Sequence, residues 1–213
     1  MKKIISVCLL ATLTLTACHN NDSKQDEKRI LQAINAHHSE HPLCMVLPPA
    51  IDNGVTQMLG SDTVRFMKTD GTGKRINTNA VKQMSVLTKA GIYRKRRDEK
   101  NPSLGKKAWF EIYELTEKGT QFITGNTNNR QLCIGSLTAN NIQWYSQPTA
   151  DNGLTVSRVS YQGRYHLHKW ASKLLKIGNP QLLHNLSQPS EMQAVVIKTN
   201  KGWIDKREIQ ERQ

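Results

Sequence analysis

The first eighteen residues constrain this chain most, because they decide which part of it folds and in which compartment. Lys2 and Lys3 precede an apolar run over residues 4–15, and Cys18 follows a threonine and an alanine. A positive start, a short apolar core and small residues in this order are typical of a secretory leader that is later removed. The apolar core is shorter than the roughly 20 residues of a membrane-spanning helix. We therefore expect residues 1–17 to be a signal peptide outside the fold.

The end of this leader resembles the cleavage site of a bacterial lipoprotein signal. The resemblance implies that Cys18 becomes the first residue of the mature chain and carries lipid, including palmitate. His19 stands in place of the aspartate that retains enterobacterial lipoproteins at the inner membrane. The resemblance therefore implies an outer-membrane lipoprotein that faces the periplasm, held by acyl chains worth about 0.8 kcal/mol per buried CH₂. The alternative is that Cys18 is an ordinary small residue in an uncleaved helix.

Two cysteines, Cys44 and Cys133, remain unmodified after the leader is removed. In an oxidising compartment such a pair is more often bridged than free, so we predict one internal disulfide. It would close a loop of roughly 90 residues, for which the chain-entropy model gives about 4–5 kcal/mol as an upper figure. Two separate buried thiols are the alternative.

The mature chain divides by pattern into a tether and two halves. Residues 18–26 are polar and aperiodic, which is typical of a flexible tether. Residues 27–128 are predicted to form a winged-helix-like half, and residues 129–213 a half of β-hairpin and helix that packs on the first. We therefore expect an α+β fold with a winged-helix-like unit, antiparallel β-hairpins and one internal disulfide.

The winged-helix prediction depends on a helix, a long hairpin and a short helix in succession. Asn79 can cap the first helix, and Gly91 stands where a left-handed residue would end it. A basic stretch, a polar turn and a β-rich strand follow. Residues 87–92 and 113–119 resemble the end of the recognition helix and the returning wing strand of winged-helix proteins.

Several segments together resemble a little-characterised family of proteobacterial lipoproteins. The matching segments are residues 41–44, 113–119, 132–135 and 194–197, with Gly202 and Trp203. Members of this family accompany carbapenem biosynthesis genes and are associated with intrinsic carbapenem resistance. The resemblance implies a role in β-lactam tolerance in the envelope, by binding or shielding.

The charge balance points to a polyanionic partner. The sequence has 30 Lys and Arg and 17 Asp and Glu, and the mature chain keeps 28 of the former and all of the latter, a net charge of +11. An envelope protein, a glycan or lipopolysaccharide would be the partner, and a nucleic acid is the alternative for a basic wing. We do not expect a nucleic acid, because the leader removes the chain from the chromosome.

The candidate residues lie in the predicted wing and are Arg94, Lys95, Arg96, Arg97, Lys106 and Lys107. A solvated hairpin tip that binds nothing is the remaining alternative.

No catalytic pattern accompanies this charge. The chain lacks a Gly-x-Ser-x-Gly elbow and the Ser-x-x-Lys set of serine enzymes that react with penicillins, since Ser85 and Lys89 are four residues apart. Residues 70–74 lack the spacing of a phosphate-binding loop and are predicted to be a turn. We therefore expect a non-enzymatic protein without a cofactor, and an unrecognised hydrolase is a further alternative.

Histidine pairs give a weak signal for metal. His37 and His41 have the i,i+4 spacing that zinc sites use. No glutamate stands in the His-Glu-x-x-His order, and Pro42 is expected to end the helix too early for a shared face. His166 and His168 are expected at a strand end in an exposed or capping role. We therefore predict no metal.

Overall fold

A computed structural model describes residues 19–52, 57–126 and 129–210, and its architecture is α+β, as the sequence predicts. The helices are α1 (His19–Glu40), α2 (Thr78–Lys89), α3 (Glu117–Thr120), α4 (Lys169–Gly178), α5 (Pro180–Ser187) and α6 (Arg207–Gln210), with a 3-10 turn at Pro102–Leu104. The strands are β1 (Leu43–Met45), β2 (Thr63–Thr69), β3 (Tyr93–Lys95), β4 (Glu99–Lys100), β5 (Trp109–Leu115), β6 (Ile123–Thr124), β7 (Gln131–Tyr145), β8 (Thr149–Asp151), β9 (Leu154–Leu167), β10 (Ser190–Thr199) and β11 (Gly202–Asp205). All the strand pairs are antiparallel, and they form two sheets.

The larger sheet has the strand order β1-β7-β9-β10-β11, with β6 beside β7 and β8 beside β9. Helix α1 packs on it, because Ile30 and Ile34 share one face of the helix and are fully buried in a core that includes Tyr161. The Asn35 side chain donates to the Ala139 carbonyl at 2.9 Å and accepts from the Ala139 amide at 2.8 Å. These two bonds fix the helix to β7 next to a β-bulge that begins at Ala139.

The smaller sheet has the order β2-β5-β3, with β4 beside β5. Helix α2 begins after Asn77, so the predicted start after Asn79 is wrong. Gly91 has φ 77° just beyond the last turn of α2, which confirms the predicted left-handed residue there. The Asn77 side chain accepts from the Asp52 amide at 2.7 Å instead of capping the helix. The apolar face of α2 packs into a second core together with α4 and the smaller sheet. Fully buried members of this core include Val64, Ala80, Met84, Leu87, Ile92 and Leu174.

The winged-helix character is not confirmed. The chain does run from α2 through the long β3–β5 hairpin to α3, as predicted. A helix-turn-helix also needs an adjacent second helix that packs on the recognition helix. The helix that packs on α2 is α4, which lies about 80 residues later in the chain. The unit is therefore described as an α+β unit with a long antiparallel hairpin.

The predicted disulfide is confirmed. Cys44 lies directly opposite Cys133 where β1 pairs with β7, and the two sulfur atoms are 2.02 Å apart. The bond joins residues 89 positions apart in sequence. It therefore attaches the three-residue edge strand β1 covalently to the longest strand of the larger sheet.

Two segments of the predicted organisation look different in the fold. Helix α1 begins at His19, so residues 19–26 of the predicted tether are helical. Residues 19–26 can be helical without an apolar stripe, because backbone hydrogen bonds continue a helix beyond the turns that pack against the sheet. Helix α1 and strand β1, both from the predicted half 27–128, contact strands of the larger sheet that come after residue 130. The division of the chain into halves of residues 27–128 and 129–213 stays a prediction.

Candidate functional site

The candidate site is the basic hairpin, which we define as β3, β5 and the chain between them (residues 93–115). Tyr93 anchors the start of the hairpin to the core. Its ring is buried, and its hydroxyl donates to the Ser61 carbonyl at 2.7 Å and accepts from the Gly60 amide at 2.9 Å. Burial raises the pKa of Tyr93 to about 12, so the hydroxyl remains a donor at neutral pH. Beyond this anchor the chain leaves the core, and Arg94 to Arg97 are exposed.

Two of the predicted arginines share one carboxylate. Arg94 lies opposite Glu114 in the β3·β5 register, and its guanidinium is 2.8 Å from the Glu114 carboxylate. Arg96 contacts the other oxygen of the same group, also at 2.8 Å. The hydrogen bond from Arg94, with help from Arg96, lowers the pKa of Glu114. These two guanidiniums are therefore partly neutralised within the hairpin.

Lys95 belongs to a more buried network at the same edge. Its ammonium is 2.7 Å from Glu111, whose side chain is 6% exposed, and 3.3 Å from Asp98. Burial favours the neutral lysine, but the hydrogen bond to Glu111 outweighs it and raises the pKa of Lys95. Lys68 also pairs with Asp98, and the Tyr113 hydroxyl donates to Glu111. Lys95 therefore serves the structure of the hairpin more than its outer surface.

The remaining predicted cations lie outside these pairs. Arg97, Lys106 and Lys107 are exposed, and within the described ranges no carboxylate lies within 4.0 Å of them. The turn at residues 70–74 packs tightly on the hairpin, since a Cβ on Gly71 would lie 2.3 Å from the Leu104 carbonyl oxygen.

The predicted turn itself is confirmed. Asp70 accepts from the amides of Thr72 and Lys74 at 2.9 and 3.0 Å, which is the pattern of a tight polar loop. The loop places Gly73 against the side chain of Lys107. Two separate loops therefore pack against each other at one end of the smaller sheet.

Positive charge is concentrated in this unit. Residues 63–115, from the start of β2 to the end of β5, contain thirteen Lys and Arg and five Asp and Glu, a net charge of +8. The full sequence has a net charge of +13. About a quarter of the sequence thus carries most of the excess charge.

A second candidate surface is an open groove of about 980 Å³ on the larger sheet. It lies between β7, β9 and β10 and the turn after β11, and Trp144, Arg158 and Lys206 are among its lining residues. Trp144 is exposed there. Asp151 and Asp205 line the same groove, and the Lys206 ammonium lies 4.0 Å from the Asp151 carboxylate, so the charges of the groove are mixed.

The predicted histidines separate into two groups. His166 is exposed, and His168 stacks on Trp170 at the start of α4, so these two do not form a ligand set. His37 and His41 do face one another, and Glu208 of α6 joins them. Among the described residues this is the one group of three His, Cys, Asp or Glu whose ligand atoms all lie within 4.8 Å of one another.

The predicted lipidation site, Cys18, lies outside the described residues. None of the helices in the described ranges combines the length and the apolarity that a bilayer crossing needs. The chain matches no family profile, no curated protein and no solved structure.

Proposed function

We propose that this protein is a non-enzymatic lipoprotein of the cell envelope. It is anchored in the outer membrane through Cys18, faces the periplasm and binds an anionic envelope component with its basic hairpin. The single observation that carries the proposal is the concentration of a net +8 in residues 63–115. A local excess of positive charge of this size is typical of a region that binds a polyanion.

The chemistry of the hairpin fits closely spaced phosphates, such as those of lipopolysaccharide. Arg97, Lys106 and Lys107 are exposed, and the structure gives them no carboxylate partner in the described ranges. Near an anionic surface each Lys or Arg contributes about 1 kcal/mol. Three such groups correspond to roughly a 100-fold change in affinity. This is enough to make the hairpin, and not the total charge, the determinant of binding.

The link to carbapenem tolerance rests on the resemblance described above. A protein held at the outer membrane that covers an anionic component could shield it or limit the entry of an antibiotic. It needs no catalytic group for this, and the sequence offers none of the serine-enzyme motifs. We therefore propose that the protein supports carbapenem tolerance by binding or shielding and not by hydrolysing the β-lactam.

A vesicle assay tests the binding step. Residues 19–213, without the lipidation site, are mixed with vesicles that contain or lack lipopolysaccharide, over a range of salt concentrations. Replacing Arg97, Lys106 and Lys107 by Gln should weaken binding by roughly 100-fold and reduce its salt dependence. The control removes three exposed lysines of α4, Lys169, Lys173 and Lys176, and should have a much smaller effect. Equal effects of the two triple variants would mean that the hairpin is not the binding surface.

Trp144→Ala tests the groove on the larger sheet in the same assay. It should leave lipopolysaccharide binding unchanged, because the groove lies on a different sheet from the hairpin. A loss of binding in this variant alone would move the binding site to the groove.

A deletion strain tests the physiological role. It is challenged with several β-lactams and complemented with the wild type, with Cys18→Ser or with the triple hairpin variant. The wild type should restore tolerance, and both variants should fail to do so. If neither deletion nor complementation changes susceptibility, the proposed role in tolerance is wrong.

The second candidate function is a nucleic-acid-binding module. The observation in its favour is the basic hairpin that follows α2, since a wing of this kind contacts phosphates in DNA complexes. It predicts that residues 19–213 bind duplex DNA at physiological salt and lose binding when Arg94 to Arg97 are neutralised. The hydrolase alternative predicts turnover of a carbapenem by the purified protein, and we expect the antibiotic to be recovered intact.

A further inference from the structure

We propose that His37, His41 and Glu208 form a binding site for a divalent transition-metal ion, with Zn²⁺ as the best match. Two imidazoles and one carboxylate with an open fourth position are a ligand set that zinc uses in proteins. His37 lies in α1, His41 directly follows that helix, and Glu208 lies in α6 near the other end of the sequence. A metal bound there would connect these elements.

The shape of α1 removes the main objection raised by the sequence. The helix continues to Glu40, and the His41 amide still donates to the His37 carbonyl at 3.1 Å, as in a regular helical turn. Pro42 therefore follows the last helical hydrogen bond and does not break the i,i+4 spacing. The two imidazole rings lie on one face with centroids 4.1 Å apart.

The third ligand comes from a part of the sequence that no local motif would indicate. The Glu208 carboxylate oxygen lies 2.5 Å from Nδ1 of His37 and 3.5 Å from Nε2 of His41. Ligands about 2.0–2.1 Å from a tetrahedral zinc ion are roughly 3.3 Å apart. The separation of 3.5 Å between Glu208 and His41 is already close to that value. The separation of 2.5 Å between Glu208 and His37 would have to grow by less than about 1 Å.

The surroundings suit a site that holds one ion between two elements and stays open to solvent. The exposed fractions are 5% for the His37 side chain, 19% for Glu208 and 37% for His41. An ion would enter from the side of His41, displace any proton shared by His37 and Glu208, and keep water as its fourth ligand. The ion would attach the four-residue helix α6 to the last turn of α1.

Zinc titration tests the site. The full-length chain is purified in detergent without a histidine tag, stripped with a chelator and titrated with ZnCl₂ by calorimetry. We expect one ion per chain and a zinc-dependent rise in Tm. His41→Ala and Glu208→Gln should each weaken binding by at least about tenfold, since even indirect partners of a metal ligand change affinity by this amount. His184→Ala removes an exposed histidine of α5 as the matched control and should change nothing.

His41→Ala is the decisive variant, because it leaves the contact between His37 and Glu208 in place. If that contact is only a hydrogen bond, zinc will neither bind the wild type stoichiometrically nor raise its Tm, and the proposal fails. It also fails if His41→Ala binds zinc like the wild type. Co²⁺ gives an independent readout: tetrahedral ligation produces a visible absorption band, which should be absent in both variants at the His41 and Glu208 positions.

Discussion

The disulfide allows the most quantitative prediction. Cys44 and Cys133 are 89 residues apart, and closing a loop of that length removes entropy from the unfolded chain. In the chain-entropy model this corresponds to about 4.6 kcal/mol at 25 °C. Residual structure in the unfolded state reduces such values, so we expect Cys44→Ala/Cys133→Ala to lose about 3–4.5 kcal/mol. For a chain of this size the Tm should fall by roughly 6–18 °C.

Urea unfolding followed by circular dichroism measures this loss. The double variant should unfold at lower urea with a larger m-value, because its unfolded state is less compact and exposes more surface. The wild type under a reducing agent is the control: it keeps both sulfur atoms, so it separates the cross-link from the cavity that alanine leaves. A loss below about 1 kcal/mol in both experiments would refute the reasoning and show that β1 pairing alone holds the loop.

Three further predictions concern stability. Asn35→Ala removes both hydrogen bonds to Ala139 and should cost about 1–3 kcal/mol in urea unfolding, whereas the exposed Gln32→Ala on the same helix should cost little. Gly71→Ala should destabilise the protein by about 1–3 kcal/mol, since its Cβ would lie 2.3 Å from a backbone oxygen, and a wild-type urea midpoint would contradict the close approach. Burial opposes ionisation of Asp98, but its lysine partners outweigh this and lower its pKa, so its contribution is present at neutral pH and is lost as the pH falls through the folded-state pKa. Asp98→Asn should be less stable than the wild type at pH 7 and should lose less stability than the wild type on acidification. Urea midpoints measured from pH 7 down through the acidic range check this.

The sequence predicts local elements well where one period dominates. The β-rich strand before residue 116 is confirmed as β5. The sequence also predicts helical segments at residues 168–177 and 180–186, and α4 and α5 agree with them to within one residue. The sequence predicts a strand that starts at residues 132–135 and a separate strand at residues 141–146. The structure has one strand, β7, because bulges after Ala139 and Ile142 shift the alternation of buried and exposed side chains without ending the hydrogen bonding.

For the candidate sites, too, the sequence shows which residues are present but not which of them meet in the fold. The basic residues of the hairpin are visible as a run in sequence, but their neutralisation is not, since it depends on which carboxylates the β3·β5 register places opposite them. Glu208 lies 171 residues from His37, and Gly73 lies against the Lys107 side chain where two separate loops meet. No local pattern encodes proximity of this kind. The short helix α6 was also missed, because four residues are too few to show a period.

The pairing of β1 with β7 also sets the order in which the molecule can be completed. A chain exported N-terminus first, as proposed, presents α1 and β1 first, yet α1 also packs on β11, which ends only at Asp205. The N-terminal segment then waits for its partners until nearly the whole chain has crossed the membrane. Folding is then governed by contacts between distant parts of the sequence, which form slowly. A helper that keeps the early segment extended during this interval would raise the yield of correctly oxidised protein.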